Sequence, residues 1–86
     1  MEFEVKRAGL TLGLLFALMH AVWVTLVAVG SGQGVADSLS RIHFLSYELL
    51  VTPFDPVMAL LGIFGAFICG LVAGGLFAWI WNRLPQ

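Results

Sequence analysis

The chain has 86 residues, of which 60% are apolar and only 10% are charged, and its net charge is −1. A soluble domain of this size cannot hide so much apolar surface, because small chains bury the smallest fraction of theirs. The small net charge excludes the basic stripe that nucleic-acid binding requires. The single cysteine, Cys69, excludes an internal disulfide and a CxxC motif. The composition therefore indicates one membrane domain over residues 1–86, with the lipid bilayer as a partner.

Two long uncharged stretches dominate the sequence. Residues 8–36 and 56–82 contain no Asp, Glu, Lys or Arg, and each exceeds the roughly 20 residues that a helix needs to cross a bilayer. We predict transmembrane helices over residues 6–29 and 56–82. The apolar run of the first stretch is longer than the roughly 7–15 residues of a signal-peptide core. We therefore expect the first stretch to be a retained span.

The segment between the two spans is polar enough to lie at a membrane surface. The glycine-rich residues 30–34 are expected to break the first helix. Residues 35–51 then predict an amphipathic helix in the interface, with an ordinary loop carrying one helical turn as the alternative. Its apolar residues recur at helical spacing: Val35, Leu39, Ile42, Leu45 and Leu49. Asp37 and Arg41 are spaced for an i,i+4 ion pair.

The start of the second span carries a local helix signal. Pro53 and Pro56 forbid a continuous helix through this point. Asp55 is a good N-cap, and Pro56 then suits the first helical position. A new helix is therefore expected to begin at Pro56.

Orientation follows from the lysine and arginine residues in the short flanks. The termini carry Lys6, Arg7 and Arg83, whereas the connector carries only Arg41. Positively charged flanks favour the cytoplasmic side, so both termini are expected there, in a prokaryotic cytoplasmic (inner) membrane. Trp79 and Trp81 stand where an interfacial aromatic belt is expected.

Small residues recur every fourth position in both spans. In the first span they are Gly9, Gly13, Ala17, Ala21 and Thr25. In the second they are Gly62, Ala66, Gly70, Gly74 and Ala78, with a parallel row of Gly65, Cys69 and Ala73. Such spacing places them on one face of each helix, and small faces allow membrane helices to approach closely. The alternative is that glycine and alanine are simply common in membrane helices.

These rows predict an all-α membrane fold: an antiparallel hairpin of two transmembrane helices, with a short amphipathic helix in the connector. The two five-membered rows are expected to face each other, because each permits close contact. The parallel row is then available to a second chain. We therefore predict a homo-oligomer, with docking onto a larger membrane complex as the alternative.

His20 and Cys69 are the two titratable side chains within the predicted membrane core. His20 lies about 15 Å along the helix from Leu10, close to the expected bilayer centre, and Cys69 is expected at a similar depth. Their equal angular offsets from the small rows predict that they are neighbours. They could serve a proton or ion conduit, or bind Zn²⁺ or Cu(I) as imidazole and thiolate. Alternatively, His20 hydrogen-bonds a carbonyl or Thr25, and Cys69 packs as a small apolar residue.

No pattern in the sequence predicts an enzyme or a cofactor. Ser38, Ser40 and Ser46 have no base spaced to activate them as nucleophiles. The glycines lie within apolar spans or in a turn, which is unlike a phosphate-binding loop.

The chain resembles a family of small two-span prokaryotic membrane proteins, some of which are labelled holin-like. The likeness lies in residues 6–10, in Gly32 and Gly34, and in residues 70–82, and it covers both spans. The resemblance implies a membrane hairpin but no activity and no site residue. The tail after the second span is only residues 83–86, whereas holins usually end in a charged segment.

Overall fold

The computed structural model describes residues 4–46 and 49–85, and this part of the chain folds into three helices. They are α1 (Val5–Ala28), α2 (Gly32–Ile42) and α3 (Pro56–Arg83). The two long helices, α1 and α3, pack against each other as a hairpin, and α2 packs on α1. The molecule measures 45 × 32 × 14 Å, so it is a slab of a single layer. The prediction of two long apolar helices is confirmed.

Both long helices are apolar and almost unburied within the chain. Each is long and apolar enough to cross a membrane, yet only 6% and 11% of their most apolar 18-residue windows are buried. Large side chains such as Leu14 and Leu60 are exposed on them. A core helix of a soluble protein would be mostly buried. The two helices therefore fit a membrane protein.

The first helix ends in a Schellman motif at Gly30. The Gly30 amide donates to the Val27 carbonyl (3.1 Å), and the Ser31 amide donates to the Leu26 carbonyl (2.8 Å). Gly30 has a φ of +89°, a conformation that glycine adopts without strain. Because α2 already begins at Gly32, the break is shorter than the predicted glycine-rich breaker over residues 30–34.

The connector helix is shorter than predicted and lies earlier in the chain. It covers Gly32–Ile42 rather than residues 35–51, and residues 49–55 are not helical. Positions 47 and 48 of the prediction lie outside the described residues. A second Schellman motif stops α2: the Phe44 amide donates to the Arg41 carbonyl (3.1 Å) and the Leu45 amide to the Ser40 carbonyl (2.9 Å). Phe44 has a φ of 59°, which directs the chain out of the helix.

The predicted start of the third helix is confirmed. The Asp55 carboxylate accepts hydrogen bonds from the backbone amides of Val57 (2.9 Å) and Met58 (3.4 Å). Pro56 occupies the first turn, where its missing amide costs nothing.

The polar side of α2 is paired differently from the prediction. Asp37 accepts a hydrogen bond from the Gln33 amide nitrogen (3.0 Å), and Arg41 donates to the Ser38 hydroxyl (3.4 Å). The predicted Asp37–Arg41 pair is thus replaced by two local hydrogen bonds. A glutamine one turn earlier reaches the same carboxylate that the arginine could have used.

Candidate functional site

Glycines bring the backbones of α1 and α3 into direct contact. A Cβ added at Gly70 would lie 2.7 Å from the Cα of Gly13, and one added at Gly74 would lie 2.9 Å from the Cα of Gly9. Side chains do not fit at such distances, so glycine is required for this approach. All four residues are buried. Close van der Waals contact of this kind holds helices together in lipid.

The other members of the two small rows lie along the same contact, and their burial decreases toward the connector. Ala78 is fully buried, with 0% exposure. Four further members are half-buried: Ala17, Ala21, Gly62 and Ala66. Thr25 is exposed, and its hydroxyl donates to the Ala21 carbonyl of its own helix (2.8 Å). Thr25 therefore makes its hydrogen bond along α1 rather than across the hairpin.

His20 lies against Gly62 of the opposite helix. A Cβ at Gly62 would collide with the imidazole Nε2 and would lie 3.0 Å from Cδ2. The ring is half-buried. Thr25, the partner considered for it, bonds elsewhere. In the described residues the His20 imidazole makes no hydrogen bond. Its Nε2 faces Gly62 across the helix contact, and no described residue is hydrogen-bonded to the ring.

The structure does not bring Cys69 to His20. Cys69 follows Ile68 and precedes Gly70, and Gly70 lies against Gly13. Gly13 and His20 are seven residues apart in α1 (20 − 13), which is about 10 Å along a helix. The predicted adjacency is therefore wrong. No group of three His, Cys, Asp or Glu residues suited to a metal ion occurs within residues 4–46 and 49–85.

The error has a physical cause in the lengths of the two helices. α3 has four more residues than α1 (28 against 24). Since Gly74 lies against Gly9 and Gly75 approaches Val5, the last turns of α3 extend past the start of α1. Depth counted from the start of each span therefore misplaces Cys69 relative to His20.

The parallel row on α3 faces away from α1. A Cβ at Gly65 would meet nothing within 4 Å, and Cys69 and Ala73 are exposed. The hairpin itself makes no use of this row.

A cavity of about 790 Å³ lies at the end of the hairpin where the connector crosses. All three helices and the residues before α3 contribute to it. His20, Trp23, Val24 and Val27 come from α1, Ala36 and Leu39 from α2, residues 49–55 from the connector, and Met58 and Ala59 from α3. The contact between His20 and Gly62 lies beside this cavity, because His20 belongs to its lining.

The Gln33 side chain hydrogen-bonds the backbone of the connector at this end of the molecule. Its amide nitrogen donates to the Leu49 carbonyl (2.7 Å), and its carbonyl oxygen accepts from the Val51 amide (2.8 Å). The side chain thus bonds both a carbonyl and an amide of a non-helical segment, as the backbone of a neighbouring strand would. Sequence reasoning missed this residue, because its partners lie 16 and 18 positions away and no motif connects them.

A third small row was also missed, on α2. Gly32, Ala36 and Ser40 are the buried residues of this helix, and a Cβ at Gly32 would lie 2.9 Å from Cγ2 of Val27. The four-residue spacing is visible in the sequence and could have identified the face that meets α1. Ser40 is 7% exposed, and its hydroxyl finds no hydrogen-bond partner in the described chain.

The end of α3 carries an aromatic and basic cluster. The Arg83 guanidinium lies 4.9 Å from the centre of the Trp79 ring, which is cation–π geometry. Phe77 and Trp81 stack with 5.9 Å between ring centres. This cluster lies at the same end of the hairpin as the start of α1.

Comparisons of the chain with family models, characterised proteins and solved structures gave no match.

Proposed function

We propose that this chain is a small self-associating membrane protein whose two long helices cross the bilayer, with a structural or small-pore role. The supporting observation is the hairpin's single layer of 14 Å, whose apolar side chains are exposed on both broad faces. Exposed apolar area on this scale needs lipid or other helices to cover it. No catalytic step is part of the proposal.

We further propose that both termini lie on the cytoplasmic side of a prokaryotic inner membrane and that α2 lies at the outer interface. Lys6, Arg7 and Arg83 at one end support this orientation. A membrane-impermeant maleimide tests it on cysteine variants made in a Cys69→Ala background. Asp37→Cys should react in intact cells, and Glu4→Cys only after permeabilisation. The reverse pattern would invert the orientation.

Self-association is proposed to use the row of Gly65, Cys69 and Ala73. Its support is that these three residues have small side chains, are exposed and face away from α1. Small faces of this type pack helices in lipid. The natural Cys69 then lies at the contact between copies.

Oxidative cross-linking in native membranes tests this assignment. Cys69 should form a disulfide-linked dimer at low protein density. The matched control is Ile68→Cys with Cys69→Ala, since that thiol has the same depth but is rotated by about 100°. Equal cross-linking of both variants would indicate random collision and contradict the assignment.

The same row favours a second candidate function, an accessory subunit of a larger membrane complex. The mass of the protein in detergent distinguishes the two. A defined homo-oligomer that Gly65→Ile reduces to a monomer supports self-association. The accessory role is supported if the isolated chain is a monomer with or without Gly65→Ile. In that case a larger complex should co-purify with the natural chain from membranes and should be lost with Gly65→Ile.

A conduit for protons or ions is the third proposal, and the unpartnered imidazole of His20 is its support. Flux into liposomes tests it. Conduction that His20→Leu abolishes while leaving the oligomer intact would favour a conduit, and equal flux through both proteins would eliminate it.

A further inference from the structure

We propose that the cavity between the three helices binds a neutral, lipid-soluble molecule that carries a carbonyl group, such as a quinone. The inference goes beyond self-association and rests on the proposed function only in that the ligand arrives from the membrane. A hairpin that failed to oligomerise would still contain this cavity.

The size and walls of the cavity suit a small organic molecule. Its volume of about 790 Å³ is within the roughly 300–1,000 Å³ of known ligand pockets. Val24, Val27, Leu39 and Met58 provide apolar walls from three different helices. A ligand in contact with them must be largely apolar.

The polar side chains of the lining indicate which polar group the ligand should carry. His20 and Trp23 are one turn apart on α1, and both line the cavity. Neither ring makes a hydrogen bond within the described residues. An indole offers only an N–H donor, and an imidazole offers at least one. Two donors without a partner, beside the apolar side chains and in a lining that also includes Thr52 and Asp55, favour a carbonyl oxygen as their acceptor.

The charge at the cavity rim favours a neutral ligand. Asp55 contributes to the lining, and its carboxylate already accepts hydrogen bonds from the amides of Val57 and Met58. A second negative charge nearby would be repelled. A ligand with a carboxylate, such as a fatty acid, is thereby disfavoured relative to a quinone, a ketone or an ester.

The connector gives the cavity a fixed outer wall. Leu49 and Val51 belong to the lining, and Gln33 bonds the backbone of both. This wall is therefore held by side-chain hydrogen bonds rather than by a helix. A wall that exists before the ligand arrives lowers the entropy lost on binding.

Fluorescence of Trp23 provides the test, because the other two tryptophans, Trp79 and Trp81, lie at the opposite end of the hairpin. The experiment uses the full chain with Trp79→Phe and Trp81→Phe, reconstituted in phosphatidylcholine vesicles and titrated with decyl-benzoquinone. We expect saturable quenching. His20→Phe should weaken the apparent affinity about tenfold, as expected for one lost hydrogen bond.

Two further variants separate a lost contact from a lost fold. Gly62→Ala retains the imidazole but displaces it, so it should weaken binding in the same direction. Thr25→Val removes a hydroxyl that bonds its own helix outside the cavity, and it should leave the affinity unchanged. The helicity of each variant is measured by circular dichroism in the same vesicles, and the Cys69 cross-linking assay reports self-association separately.

Three outcomes would overturn the proposal. Quenching that rises linearly without saturation would mean collision with quinone dissolved in lipid. Saturable quenching that is equal in His20→Phe would remove the assigned polar contact. A brominated fatty acid that binds more tightly than the quinone would show that the site selects an acyl chain instead of a neutral carbonyl compound.

Discussion

Gly30 and Phe44 occupy the same position in two Schellman motifs, one at the end of α1 and one at the end of α2. Their φ angles are +89° and +59°, and the two hydrogen bonds of the motif are made in each case. Glycine adopts this left-handed conformation freely, whereas a side chain with a Cβ is strained by about 1–2 kcal/mol. Phe44 is 96% exposed, so no packing within the described chain compensates for its strain.

The first prediction follows from this pair. Phe44→Gly should raise the free energy of unfolding by about 1 kcal/mol, because it removes the strain and loses no described contact. Gly30→Ala should lower it by about the same amount. Unfolding by sodium dodecyl sulfate in mixed micelles, followed by circular dichroism, measures both. A loss of stability in Phe44→Gly would show that the exposed ring contributes a contact of its own.

The second prediction concerns the contact between α1 and α3. Gly70→Ile should lower the free energy of unfolding of the hairpin by about 2 kcal/mol or more, because the new side chain meets the backbones of Leu12 and Gly13. Gly65→Ile adds the same side chain where nothing lies within 4 Å, so the hairpin should keep its stability. The comparison is made on monomers in detergent. Equal losses would mean that the helix propensity of isoleucine, and not close packing, determines the change in the free energy of unfolding in both variants.

The third prediction concerns Gln33. Gln33→Ala should increase hydrogen exchange at the Val51 amide about tenfold, because that amide loses its acceptor. The Val57 amide bonds Asp55 instead, so its exchange should not change. Nuclear magnetic resonance in micelles resolves the two amides. Unchanged exchange at Val51 would show that another group protects it.

The fourth prediction concerns the buried hydroxyl of Ser40. Ser40→Ala should leave the stability unchanged or raise it by about 1 kcal/mol, because a buried hydroxyl without a partner costs free energy. Ala36→Ser, one turn earlier on the same buried row, should lower stability. The detergent titration used for Phe44 measures both variants. A clear loss in Ser40→Ala would indicate that the hydroxyl is partnered by a group outside the described residues.

The parts of the fold that depend on nearby residues could be predicted from the sequence. The two long helices follow from uncharged stretches of sufficient length, and the start of α3 follows from Asp55 beside Pro56. Both signals act within a few residues. The end of α2 could not be predicted, because it depends on Phe44 taking a conformation that glycine would be expected to supply.

The parts of the candidate site that depend on residues far apart in the chain could not be predicted from the sequence. Gln33 and Val51 are brought together by the path of the connector, which no short motif specifies. The relative depth of His20 and Cys69 depends on how far α3 extends beyond α1. The uncharged stretches indicate the length of each helix but not how far one helix is shifted along the other. The sequence therefore predicts His20 and Cys69 as neighbours, whereas the structure separates them.

A hairpin only one helix thick has almost no interior to protect. Most substitutions on it alter the surface that contacts lipid or a neighbouring protein, and have little effect on how the chain folds. The residues that determine folding should therefore form a narrow line where the two backbones touch. The wide remainder of the surface is free to adapt to the thickness of the host bilayer, or to a new neighbour, at little cost to the fold.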